Sequence, residues 1–177
     1  EPTPHPSAQD AFWEELQSQC SAAYSGKILQ RPEDDRLFTG QEELIAHFRE
    51  CGEQEIRIAF HVGDDRSRTW VLRRTPEQLE LRHDHRHQDG SPAENTWYGA
   101  TTPSRGTPNH QDFLTATPEG GTRGWRIEIE PGRHYTYGTV RDGEWRYRLE
   151  FDLSRPVPEP PPPWGAGQAR EPQTLKQ

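Results

Sequence analysis

The sequence predicts a mainly β protein with N-terminal helices, its strands forming an antiparallel up-and-down meander that closes into a small barrel or sandwich. Three observations carry this. From Glu55 onward apolar residues alternate with polar ones: Ile56, Ile58, Phe60 and Val62 against Arg57, Ala59, His61 and Gly63. Seven or eight such segments follow one another with short turns between them. Each keeps one polar face, so the apolar faces must be covered by closure or by a second layer.

Residues 1–6 are a Pro-rich lead. Ser7-Ala8-Gln9-Asp10 reads as a capping box with Asp in place of the usual Glu. It opens a helical pattern to about Tyr24, with Phe12, Trp13, Leu16, Cys20 and Tyr24 near one stripe. Thr39-Gly40-Gln41-Glu42 reads as a second capping box, before a short helix carrying Leu44, Ile45, Phe48 and Cys51 and stopped by Gly52. Residues 7–54 are therefore expected as a helical segment clipped to a β domain of residues 55–155. Each cysteine lies on the apolar stripe of its helix. Packing those stripes together pairs Cys20 with Cys51 in one disulfide; two buried free thiols are the alternative.

Strands are expected at 55–62, 69–74, 79–88, 96–101, near Phe113-Leu114, and at 125–130, 134–141 and 144–153. Asp142-Gly143 between the last two is a strong hairpin signal. In the last strand Trp145, Tyr147, Leu149, Phe151 and Leu153 are expected inside, with Arg146, Arg148 and Glu150 outside. Residues 156–177 form a Pro-rich tail that favours polyproline II.

The strand at 79–88 carries the chemistry. Leu79, Leu81, His83, His85 and His87 share one face, and the leucines mark that face as buried. Such a strand runs from a core into a pocket. Two of the three imidazoles, joined by His61 or His134, would make a site for a transition metal such as Zn or Cu. A row of hydrogen-bonded rim histidines is the plainer alternative. Trp70, Trp97, Tyr98 and Tyr135 are the candidates to line a pocket for a flat ligand, against the plainer reading that they are core. No phosphate-binding loop, His-Glu-x-x-His, dinucleotide fingerprint or nucleophile elbow occurs.

The net charge of -8 and pI near 5.5 disfavour nucleic acid as a partner. Mean hydropathy is -1.15, and no apolar run is long enough to span a bilayer. The chain starts Glu1-Pro2-Thr3-Pro4-His5-Pro6 and has no methionine, as a mature chain trimmed of a signal peptide would. With a disulfide, this points to a secreted or periplasmic protein.

The run from Phe60-His61-Val62-Gly63-Asp64-Asp65-Arg66-Ser67-Arg68-Thr69-Trp70 through the His-Asp-His-Arg-His strand resembles a set of uncharacterised, predicted secreted bacterial proteins. The resemblance covers roughly residues 20–153 and implies export and a shared site, but no activity. The architecture is loosely similar to lipocalins. The favoured reading is an exported binding protein with a His-lined site for a metal or small ligand, not an enzyme. A metal-dependent hydrolase or lyase, and a self-assembling protein whose Pro-rich termini dock on neighbouring copies, are the alternatives.

Overall fold

The computed structural model describes residues 7–168. In that span one helix, α1 (Ala8–Gln17), precedes ten strands. They are β1 (Ala23–Gln30), β2 (Leu44–Cys51), β3 (Glu55–Val62), β4 (Asp65–Arg74), β5 (Leu79–His85), β6 (Tyr98–Thr101), β7 (His110–Ala116), β8 (Thr122–Glu130), β9 (His134–Arg141) and β10 (Glu144–Asp152). All belong to one antiparallel sheet ordered β6-β5-β4-β3-β2-β1-β10-β9-β8-β7. Sequential strands pair except β6 and β7, β1 pairs with β10, and the sheet curls until its edges β6 and β7 touch. The result is a nearly closed barrel.

α1 plugs one end. The Ser7 hydroxyl accepts from the Asp10 amide at 3.0 Å, and the Asp10 carboxylate accepts from the Ser7 amide at 3.4 Å, so the expected capping box is present. Phe12, Trp13 and Leu16 are completely buried. The Trp13 indole donates to the Gly52 carbonyl at 3.1 Å and fixes the plug to the β2–β3 turn.

The helical segment expected for residues 7–54 is corrected in two places. α1 stops at Gln17, and Tyr24 belongs to β1. Ser21 takes a left-handed φ of 73°, and its amide donates to the Phe48 carbonyl at 2.8 Å, drawing the chain into the sheet. Residues 44–51 form β2, not a helix. The misleading spacing has a physical cause. Leu44, Ala46 and Phe48 alternate inward, and a bulge between Phe48 and Glu50 then resets the parity. Cys51 returns to the inner face three residues after Phe48, which imitates a helical step. Only half of the second capping box forms: the Glu42 carboxylate accepts from the Thr39 and Gly40 amides at 2.6 and 3.1 Å, while the Thr39 hydroxyl accepts from the Gln41 amide at 3.2 Å. They close a turn, not a helix. β1 and β2 thus sit in the middle of the sheet as part of the barrel.

Cys20 and Cys51 form the expected disulfide, with Cα atoms 5.8 Å apart. It joins the end of the plug to the end of β2. The remaining strands lie near their expected places, but β4 starts at Asp65, inside the stretch expected as a turn, and β5 ends at His85, before His87.

In β10 the inward set holds for Tyr147, Leu149, Phe151 and Leu153 but fails for Trp145. A bulge between Trp145 and Tyr147 turns Trp145 to the outer face. There it lies over Gly138, between the guanidinium groups of Arg126 and Arg148 at 5.2 and 5.1 Å from its ring.

The described part of the Pro-rich tail straps the outer face of the same barrel. Val157 bridges to Ala23, the Arg66 guanidinium donates to the Pro162 carbonyl at 2.6 Å, and Pro163 is buried. Residues 1–6 and 169–177, part of the termini expected to dock on neighbouring copies, lie outside the described residues.

Candidate functional site

β5 runs from the plugged end of the barrel to the open end, as its apolar-to-histidine pattern predicts. Leu79 and Leu81 are buried at the root. His83 follows at 2% exposure, in the floor of the mouth. Its Nδ1 lies 3.1 Å from the Tyr98 carbonyl and its Nε2 2.6 Å from the Tyr137 hydroxyl. A carbonyl only accepts, so Nδ1 carries the proton and Nε2 accepts from Tyr137. Burial holds the ring neutral, with its pKa lowered to about 4. The Tyr98 ring stacks on the imidazole at 4.5 Å with a 6° interplanar angle, and Trp125 sits 4.8 Å from it.

The other histidines do not join His83. His85 is half-buried at the rim, with Nδ1 donating to the Asn95 carbonyl at 3.0 Å. His87 lies beyond the end of β5 and is exposed. His61 has the opposite parity and is buried on the outer face beneath the strap. His134 opens β9 at the plugged end, 3.4 Å from Glu150. Among the described residues no group of three His, Cys, Asp or Glu side chains is placed to hold one metal ion. The geometry of the histidine row is that of a buried His83 and a rim His85, each with side-chain hydrogen bonds of its own, and an exposed His87.

The aromatic candidates separate likewise. Trp70 and Tyr135 are core, at 1% and 0% exposure. Trp70 stacks between Phe60 and Tyr137 at 4.7 and 4.0 Å, and this stack fills the middle of the barrel. Trp97 has a left-handed φ of 61° and lies under the Arg73 guanidinium, 4.9 Å from its ring. Tyr98 alone of the four lines a cavity.

That cavity, of about 620 Å³, is the open mouth of the barrel. Tyr98, Trp125 and Tyr147 give it aromatic walls, and Thr115 and Thr139 add hydroxyls. Tyr147 is set by the loop after β1: its hydroxyl donates to Asp35 at 2.5 Å, and Phe38 packs edge-on at 6.0 Å. Burial and this bond push the Tyr147 phenol up to about 12.

Arg123, Arg141 and Arg146 complete the lining, with no carboxylate among the lining residues. All three are exposed, and none makes a hydrogen bond or ion pair among the described residues. The register explains the first two. Arg123 pairs with Thr115 and Arg141, and Trp125 pairs with Phe113 and Thr139, so Arg123 and Arg141 continue the inward rows past the last buried rings. Arg146 is the extra residue of the β10 bulge. The Glu119 carboxyl in the β7–β8 turn is held low by its own backbone amide and the Thr117 hydroxyl first, then by Arg141 and Arg123.

Sequence reasoning missed Trp125 and these arginines as site residues. Alternation contained the signal for two of them: Arg123-Trp125-Ile127 and Tyr137-Thr139-Arg141 each place an arginine on an inner face. Arg146 gave none, because a bulge delivers it.

No family model, curated protein or solved structure matches this chain. The reading of the site therefore rests on its geometry. No helix among the described residues is long and apolar enough to cross a membrane.

Proposed function

We propose that the chain is an exported binding protein whose barrel mouth takes a small, flat, anionic organic molecule. Its ring lies against the aromatic wall that Tyr98, Trp125 and Tyr147 form, and its anionic group meets Arg123, Arg141 and Arg146. The single observation that carries this is a set of three arginines around an aromatic cavity, none with a hydrogen bond or ion pair among the described residues, in a protein of net charge -8. An acidic protein that gathers unpaired cations at a concave mouth focuses a positive field there. Neutral His83 fits the same reading, because an uncharged floor leaves the anionic end at the rim. The volume lies within the usual range for small-molecule sites, roughly 300–1,000 Å³. Export is supported by the Cys20–Cys51 disulfide, which persists in oxidising compartments.

Titration with anilinonaphthalene sulfonate, a flat anion, tests the reading through dye and tryptophan fluorescence. Saturable one-to-one binding is expected, weakened by salt and weakened about tenfold by Trp125→Ala, since an aromatic contact and its buried area are lost. Absence of saturable binding, or equal binding by Trp125→Ala, would contradict it.

A further inference from the structure

The Pro-rich strap crosses the outer face of the sheet from β1 to the end of β5. It leaves β10, bridges at Val157 to Ala23 on β1, and brings Glu159 to His47 of β2 and the Pro161 carbonyl to His61 of β3. At β4 the Arg66 side chain donates to the Pro162 carbonyl at 2.6 Å, and the Arg66 carbonyl accepts from the Trp164 amide at 2.9 Å. Gly165 then lies against Arg86, where a Cβ would stand 2.5 Å from Cδ. Few backbone bonds hold this crossing. Six of the eight residues from 156 to 163 are prolines, which have no amide donor. The amides that tie the strap to the sheet are those of Val157, to the Ala23 carbonyl at 2.8 Å, and of Trp164.

Two histidines lie beneath its middle. His47 pairs with Ala59 and His61 with Ile45, so the two are diagonal neighbours on the outer faces of β2 and β3. Both are 3% exposed. Neither ring nitrogen of His61 makes a hydrogen bond, although the Pro161 carbonyl faces the ring, and Nδ1 of His47 makes none. Arg66 on β4 and Arg49 and His47 on β2 face His61. Arg49 on its own strand, Glu159 on the strap and the Ser21 backbone face His47. Glu159 and the backbone groups favour a proton on these rings, but burial and the cations outweigh them. Burial, the largest cause, lowers the pKa of both rings, that of His61 to about 4.

We propose that the strap is an acid-released latch: protonation of His61 and His47 lifts residues 156–168 off the outer face while the barrel stays folded. The sheet closes off the rings from below, so lifting the strap is the smallest motion that gives an imidazolium its water. That motion breaks few backbone bonds and moves no member of the barrel core. Segments of this kind open at a fraction of the global unfolding free energy. In the open form His61 titrates near the ordinary histidine value of roughly 6.5. Closure is therefore fully favoured above that value and weakens as pH falls toward about 4. At pH 5 this one ring raises the open-to-closed ratio about thirtyfold over its alkaline value.

Proton–nitrogen correlation spectra of the full chain, recorded from about pH 8 to about pH 4.5, read the latch directly. The Val157 and Trp164 amides are expected to move together to unfolded-chain positions on acidification, while the amides of β3 and β9 keep their dispersion. His47→Gln combined with His61→Gln leaves two neutral side chains, and is expected to lower the release midpoint by at least about one pH unit. His110→Gln, on β7 and away from the strap, is expected to leave it unchanged. Ring-proton titration of His61 in the parent needs no variant, and its midpoint is expected to coincide with release. Strap amides that stay closed through the whole range would overturn the proposal. So would release together with the barrel signals, release unaltered in the double variant, or a His61 midpoint apart from that of the strap.

Discussion

The Nε2 atom of His83 and the hydroxyl of Tyr137 meet at 2.6 Å across the floor of the barrel mouth, joining β5 to β9. Both groups are buried, and neither has water to fall back on. Tyr137→Phe keeps the ring stacked on Trp70 but leaves a buried imidazole nitrogen unpaired. It is expected to cost about 1–3 kcal/mol in urea unfolding. A change of only a few tenths would show that the bond is weak or replaced.

Acid should loosen the fold through buried histidines, starting above the range in which carboxylates titrate. Burial lowers the pKa of His83 and of His61 from 6.5 to about 4 and lowers that of His47 too. The charges that face them oppose protonation further: Arg68, Arg82 and His85 around His83, and Arg66, His47 and Arg49 around His61. Between pH 6.5 and about 4 the unfolded chain therefore binds more protons than the folded one. Stability is full above the upper value and falls as pH drops through this window, by up to about 3 kcal/mol for each of the two rings. Denaturant titrations at successive pH values should show this slope. His83→Gln should remove one proton's share of it, and an unaltered slope would contradict the assignment.

The disulfide closes a loop with a sequence separation of 31 and anchors the plug. Replacing Cys20 and Cys51 by Ser should cost about 3–4 kcal/mol in the chain-entropy account, measured by thermal or denaturant unfolding. Two free thiols in the native protein by mass analysis would remove the premise.

Gly138 on β9 stands where the β10 bulge brings the neighbouring chain close. A Cβ there would lie 1.8 Å from the Tyr147 carbonyl oxygen and 3.0 Å from the Trp145 ring. Gly138→Ala should therefore cost about 1–3 kcal/mol or more through overpacking. Gly167→Ala, whose Cβ meets nothing within 4 Å, should stay within about 0.5 kcal/mol of the parent. Equal stabilities by denaturant unfolding would mean that the bulge moves without cost.

Where the chain keeps strict alternation, the sequence is readable. β3 to β5 and β8 to β10 follow from it, and so does the path of β5 from Leu79 to the mouth; of β7 only Phe113-Leu114 is legible. It fails where a bulge resets the parity. The bulge after Phe48 made β2 look helical, and the bulge after Trp145 put that ring outside and delivered Arg146 to the mouth. The ladder between β1 and β10 joins residues more than a hundred positions apart, and no local pattern encodes such a pairing. The histidine row showed where the mouth lies but not what it does. His83 is consumed by Tyr98 and Tyr137, while the free donors come from arginines that read as ordinary strand-end charges.

Charge reversal at the mouth tests the central claim most directly. Arg123→Glu combined with Arg141→Glu alters two exposed side chains that make no ion pair among the described residues, so the fold should be kept. Binding of anilinonaphthalene sulfonate should fall at least tenfold, as loss of two charge contacts implies. A planar cationic acridine, excluded by the parent, should bind in its place and be displaced by salt. An unchanged affinity for the anionic probe in the doubly reversed variant, with the barrel intact by circular dichroism, would contradict the account.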